Sequence, residues 1–445
     1  MPLIAPTRVL VVGAGGREHA ICWKLAAEPG MNEVAVAPGS AAIGEQPRVR
    51  ILSGVDPLDG EAVVRAARST AAELVVVGPE APLAAGVADA LRAAGIPVFG
   101  PDAAAARIES SKAYCREVAE SAGVRMARGA SFGRPDEAVA FARMLVALPA
   151  ATGVVVKADG LAAGKGVTVA DDAAAAEAAI RALFAEGDGR GVVVEERLEG
   201  REASLIAVCD GIDAIALPSA RDHKRLLDGD EGPNTGGMGA YSPVPDLPEA
   251  EAARLVDTIH RPILAELARR GNPFRGALYA GLMLTADGPV LLECNARFGD
   301  PEAQVILPRL AVALGPLLLA AARGDLGSAR RALGLDGALL PAAPGAAVGI
   351  VLAAAGYPGS PRSGDPIVGL DLATALGALV FHAGTVRDAA GTYTTRGGRI
   401  VTVVGRGPDL GAARAVADEA ADGVAFEGCL RRRDIAAALI AEPAR

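Results

Sequence analysis

The stretch VLLECNARFGDPEA, Val290 to Ala303, sets Glu293 and Asn295 two residues apart at the end of an apolar run. On a strand that spacing turns both side chains to one face. A carboxylate beside an amide oxygen makes a hard oxygen site, suited to magnesium that keeps its waters and shares phosphate oxygens. Arg297, two residues on, is placed to hold a transferring phosphoryl group or a substrate carboxylate. Polar groups in a buried strand are costly without partners, and the competing partner is internal, a Glu293–Arg297 ion pair. Cys294 is expected to face the core.

A second candidate is VVVKADGLAAGKGVTVA, Val154 to Ala170. It is not a P-loop: three residues separate Gly160 from Gly164, Gly166 follows Lys165, and a strand comes next where a helix should open. A glycine hairpin between two strands acts instead as a lid whose amides close over triphosphate oxygens, with Lys157 neutralising charge. In VVVEERLEG, Glu195 and Glu196 end a strand and Leu198 follows, a hinge able to read an adenine edge and ribose hydroxyls. A plain structural turn and a solvated acidic strand end are the competing readings.

The opening stretch VLVVGAGGREHA, Val9 to Ala20, runs from a strand into a glycine turn. Gly13 and Gly15 fit a dinucleotide fingerprint, but Glu18 stands at the third glycine. The second strand ends in Pro38-Gly39 where a ribose-binding carboxylate belongs. A nicotinamide-dependent dehydrogenase is therefore disfavoured, and a single phosphate on the Gly13–Gly16 turn beside Arg17 fits better. Further on, Asp222, His223, Lys224 and Arg225 precede GPNTGGMGAYSP, a charged loop able to orient a substrate, with His223 a candidate base. No nucleophilic triad is visible.

The elements that must position these groups fall into three patterns. Residues 8 to about 103 alternate short apolar runs with helical patterns, which predicts a doubly wound parallel α/β domain. From there Ser110 or Ser111 caps a helix, the lid strands and an alanine-rich helix follow, and a strand pair turns at Asp287-Gly288. Residues 218–243 read as a long loop kept for a use. The stretches VGIVLAAAG, LVFHAGTV and GRIVTVVGRG predict a β-rich closing domain. The expected domains are 1–103, 104–330 with a lid subdomain at about 123–194, and 331–445.

Composition narrows the class. Aromatics are only 3% of the 445 residues, so Ala, Val and Leu must build the cores. The length predicts roughly two to four domains. The net charge of -9 with no basic block excludes nucleic acid as the expected partner. Five scattered cysteines without a C-x-x-C pair give neither a disulfide framework nor a zinc site. The uncharged run Gly337 to Pro361 is long enough for a membrane but carries Pro341, Pro344, Gly345, Gly349, Gly356 and Pro358, so it reads as a buried strand and turn. The N-terminus lacks signal-peptide features, and a cytoplasmic monomer without membrane contact is expected.

Taken in order, GAGGREHA, VVGPEAPLAAG, KADGLAAGKGV, DHKR…GPNTGGMGAYSP, LYAGLM, NARFGDPE and GYPG…VFHAGT resemble the phosphoribosylamine–glycine ligases, an ATP-grasp family of purine biosynthesis. The resemblance implies a preATP-grasp domain, an ATP-grasp pair clamping ATP and a β-rich C-terminal domain. It implies ATP + glycine + 5-phosphoribosylamine → ADP + phosphate + glycinamide ribonucleotide through glycyl phosphate, with Mg2+ or Mn2+. It carries Lys112, Lys157, Gly160, Gly164, Lys165, Gly166, Glu195, Glu196, Leu198 and Glu202 to the ATP clamp, and Glu293 and Asn295 to the metal. Arg297 and Asp222 fall to catalysis. Gly13, Gly15, Gly16 and Arg17 fall to the ribosyl phosphate, and Asn234, Thr235, Gly236, Gly237 and Met238 to the glycine and amine pocket. Ser110, the step 124–129 and Cys294 depart from the family pattern without removing a proposed ligand. Another ATP-grasp ligase and an inactive nucleotide-binding regulator are the remaining rivals.

Overall fold

The computed structural model describes residues 3–149, 151–161, 166–185 and 191–441. Its first sheet is parallel, with strands in the spatial order Val49–Ile51, Glu33–Pro38, Arg8–Gly13, Leu74–Val77, Val98–Phe99. Leu10, Val11, Val34, Val75 and Val76 are solvent-free, the pattern of strands covered by helices on both faces. The helical pattern after the strand Leu74–Val77 forms two short helices, Glu80–Ala84 and Val87–Ala93, because Gly86 between them takes a left-handed φ of 82°.

Two antiparallel sheets follow. One orders Gly129–Phe132, Val192–Glu196, Val154–Ala158 and Val167–Ala170, and the helices Pro135–Val146 and Ala173–Ala185 cover it. These elements share a small core of their own around Ala142, Val156 and Ile180. The other orders Ala214–Ala216, Arg201–Asp210, Arg275–Thr285 and Gly288–Asn295, and its last two strands join at the predicted turn.

The closing sheet orders Arg221–Asp222, Gly239–Ser242, Ala346–Ala353, Arg399–Gly407 and Leu379–His382. Its helix Leu410–Gly423 lies so near the strand that a Cβ at Gly405 would sit 2.1 Å from the Ala413 carbonyl oxygen. The run that was long enough for a membrane is the buried strand Ala346–Ala353, and no helix among the described residues is long and apolar enough to cross one. Residues 218–243 are a series of short strands instead of a loop. Two of them join the closing sheet across the expected boundary at 331, while Arg225–Leu227 and Glu231–Asn234 pair as a hairpin around Gly229.

Candidate active site

The two antiparallel sheets and the closing sheet face a cleft of about 1100 Å³. The strand Gly288–Asn295 carries Glu293 and Asn295 to its floor, opposite Gly281 and Tyr279 of the neighbouring strand. Glu293 is held at about 2, mainly by Lys224 at 3.6 Å, with Lys157, Lys112 and Arg297 adding to it against burial. Asn295 also faces the cleft. A permanently ionised carboxylate and an amide oxygen fit a hard cation that takes its remaining ligands from water and phosphate. No group of three His, Cys, Asp or Glu able to hold a metal exists among the described residues, so a fully protein-caged ion does not fit.

Lysines ring this floor. Lys112 opens the helix Lys112–Ser121, whose N-cap Ser111 accepts from Tyr114 N–H at 3.1 Å. Its Nζ donates to the Gly160 carbonyl at 2.9 Å, joining the helix to the entrance of the glycine hairpin. Lys157 is nearly enclosed and pairs with Glu195 Oε2 at 2.6 Å. Glu195 also takes Arg116 at 3.0 Å, so its carboxylate is turned inward as a counter-charge. Glu196 Oε1 accepts from Arg128 N–H, and Leu198 and Glu202 line the cleft nearby.

Arg297 pairs with Glu109 at 3.0 Å and Glu80 at 3.3 Å, and no ion pair joins it to Glu293 among the described residues. Although burial opposes its charge, these carboxylates hold the guanidinium more firmly charged than usual. Neither acid stood out in the sequence: Glu109 adjoins the cap serines and Glu80 lies in VVGPEAP, and nothing local ties them to an arginine so far along the chain. Asp222 is pushed up to about 8 by desolvation, aided by Glu302, Glu202 and Glu293 and opposed by Lys224. Lys224 spans Glu202, at 2.9 Å, and Glu293; these acids and Asp222 outweigh its burial and hold its ammonium well above the usual value.

Glu18 folds back onto the glycine turn of the first strand. Glu18 Oε2 accepts from Gly15 N–H at 2.7 Å, and a Cβ at Gly13 would meet Glu18 Cγ at 2.5 Å. The turn thus holds its own carboxylate, and Gly13, Gly15 and Gly16 stand outside the residues that line the cleft. Arg17 does line it, although Glu18 at 2.6 Å and the Phe298 carbonyl at 3.2 Å occupy much of its guanidinium. Of the other candidates, Gly160, Gly166, Asn234, Thr235 and Gly236 line the cleft. Gly237 is packed on Pro301, Met238 is buried outside the lining, and Gly164 and Lys165 lie outside the described residues.

A lid sheet with its own core, a second antiparallel sheet with a carboxylate and an amide on its edge strand, and lysines between them define an ATP-grasp ligase. Residues 7–109, 110–303 and 347–438 match in turn the N domain, the ATP-grasp (A) domain and the C domain of phosphoribosylglycinamide synthetase, and the chain belongs to that family. It is 49% identical to the phosphoribosylamine–glycine ligase of Streptomyces coelicolor, covering 97% of this chain and 99% of that one. The corresponding Leifsonia xyli protein is 47% identical, with coverage of 97% and 99%. The crystal structure of phosphoribosylamine–glycine ligase from Thermotoga maritima superposes with a TM-score of 0.77 at 33% identity, covering 96% of this chain and all of that one. A Campylobacter jejuni biotin carboxylase, TM-score 0.69 at 16% identity and covering 98% of this chain and 96% of that one, shares the fold.

Proposed function

We propose that this chain ligates glycine to 5-phosphoribosylamine at the expense of ATP, giving glycinamide ribonucleotide, ADP and phosphate through glycyl phosphate, the second step of de novo purine synthesis. The observation that carries the reading is the meeting, around one cleft, of Glu293 and Asn295 with Lys112, Lys157, Arg297 and the Asn234–Gly236 turn. The relatives' names supply the substrates.

Bound magnesium or manganese ATP supplies the phosphoryl group and screens the charge that gathers as it moves. Glu293 and Asn295 are the groups that would hold the cation. Lys112 and Lys157 would neutralise triphosphate charge, and Glu195 keeps Lys157 aimed. Arg297, braced by Glu80 and Glu109, holds the glycine carboxylate or the phosphoryl group in line. Asp222, which lines the cleft, is the carboxylate we assign to take the proton that the amine loses as the amide forms. No nucleophilic side chain is required, because the substrate carboxylate is the nucleophile.

ADP release by the purified chain with ATP, magnesium, glycine and phosphoribosylamine generated in place tests the reading. Release that needs both glycine and the amine is the expected result. Release indifferent to glycine would return the acceptor and donor to unknown.

A further inference from the structure

Tyr357 and Arg399 belong to the closing part of the chain and have no share in the nucleotide chemistry above, yet both reach the cleft. Between them they hold both backbone groups of one residue. Gly236 N–H donates to the Tyr357 hydroxyl at 2.8 Å, and the Gly236 carbonyl accepts from Arg399 Nη1 at 2.5 Å. The same Nη1 donates to the Asp300 carbonyl at 2.7 Å, while Nη2 pairs with the Asp300 carboxylate at 2.9 Å. One guanidinium therefore joins the 234–238 turn to the segment that follows Glu293, Asn295 and Arg297.

The other side of the turn is tied to Lys224, the residue that precedes the Arg225–Asn234 hairpin. Thr235 donates to the Lys224 carbonyl through its N–H at 2.7 Å and its hydroxyl at 2.8 Å, and Gly237 N–H donates to Thr235 Oγ1 at 3.0 Å. The sequence around the grip is shaped for it. A Cβ at Gly398 would lie 2.2 Å from Tyr357 Cδ2, so only glycine lets the ring lie on that backbone. A Cβ at Gly236 would stand 3.3 Å from both Arg399 Cζ and the Tyr357 hydroxyl. A turn this rich in glycine samples many conformations when free, and fixing the two peptides that flank its central residue removes that freedom before substrate arrives.

We propose that Tyr357 and Arg399 are positioning residues that set the 234–238 turn for the phosphorylated sugar amine, making the closing domain the part that selects the acceptor. The assignment rests on the ligase reading given above. Lysine cannot reproduce the fork at Arg399, since a single ammonium cannot reach two carbonyls and a carboxylate in that geometry. Phenylalanine at 357 deletes one acceptor oxygen and leaves the ring in place.

The experiment compares wild type, Y357F and R399K by steady-state kinetics in each substrate and by calorimetric titration with ATP. Each variant is expected to lose tenfold or more in kcat/KM for phosphoribosylamine while its ATP Kd stays within twofold of wild type. Y357F decides the matter if R399K does not fold. A smaller loss in Y357F, or an equal loss of ATP affinity, overturns the proposal. A wild type that releases no ADP with all substrates present refutes the ligase reading instead, and this assignment with it.

Discussion

Replacing Glu195 by glutamine tests the lid and the nucleotide assignment together. Its side chain is 5% exposed and carries two cations, Lys157 at 2.6 Å and Arg116 at 3.0 Å. Glutamine keeps the shape but is neutral and offers one acceptor, so both enclosed cations lose this counter-charge and one of them also meets the amide NH2. Removing one partner of a buried ion pair costs about 3–5 kcal/mol. Arg116 retains the Ala127 carbonyl at 2.6 Å and Glu120 at 2.7 Å, and Lys157 retains the Leu292 carbonyl at 3.1 Å. Those partners place the variant at the low end, about 3 kcal/mol. Because the lid sheet has its own core, the loss falls on local opening, and amide exchange in Val192–Glu196 should quicken roughly 100-fold. ATP at one hundred times Kd adds about 2.7 kcal/mol to a folded state. Its phosphates give Lys157 a new anion, so ATP should slow exchange in the variant at least as much as in wild type. Exchange unchanged within threefold, or a weaker ATP effect in the variant, would refute the reasoning.

Three further outcomes are expected. Gly13→Ala forces a Cβ into Glu18 at a φ of 130°, and thermal melting should show a loss of at least about 1–3 kcal/mol from backbone strain alone; an unchanged melting temperature contradicts the packing described for the turn. Glu293→Ala should leave the circular dichroism spectrum intact while lowering turnover a hundredfold or more, and wild-type activity at low magnesium would sink the metal assignment. Burial depresses His19 to about 3 and His260 and His382 to about 4, so all three are neutral when folded. Their stabilising share is complete above the unfolded value of roughly 6.5 and is lost as pH falls toward the folded values, by up to about 1.4 kcal/mol per pH unit for each. Urea midpoints that stay flat from pH 7 to pH 5 would contradict this.

The elements were readable where periodicity and local chemistry agree. The parallel strands, the Ser111 cap, the lid hairpin and the Asp287-Gly288 turn all declare themselves within a dozen residues. Glu293 and Asn295 were legible for the same reason, because strand spacing alone puts them on one face. What the sequence hid is long-range pairing. Nothing near Glu195 in the sequence shows that Lys157 and Arg116 pair with it, although the fold-back of Glu18 onto Gly15 is a local contact that the glycine motif masks. Glu80, Glu109 and Arg399 matter through partners that sit far away along the chain, and no pattern of neighbours carries that information.

The strand Gly239–Ser242 is hydrogen-bonded along its length to Ala346–Ala353, deep in the closing sheet. A break in the connecting residues would therefore not release a finished module. It would leave Gly239–Ser242 without its partner on one side and Ala346–Ala353 as an uncovered sheet edge. Recombination between relatives meets the same constraint. A transplanted closing domain must accept the host's strand and seat its tyrosine and arginine on the host's glycine.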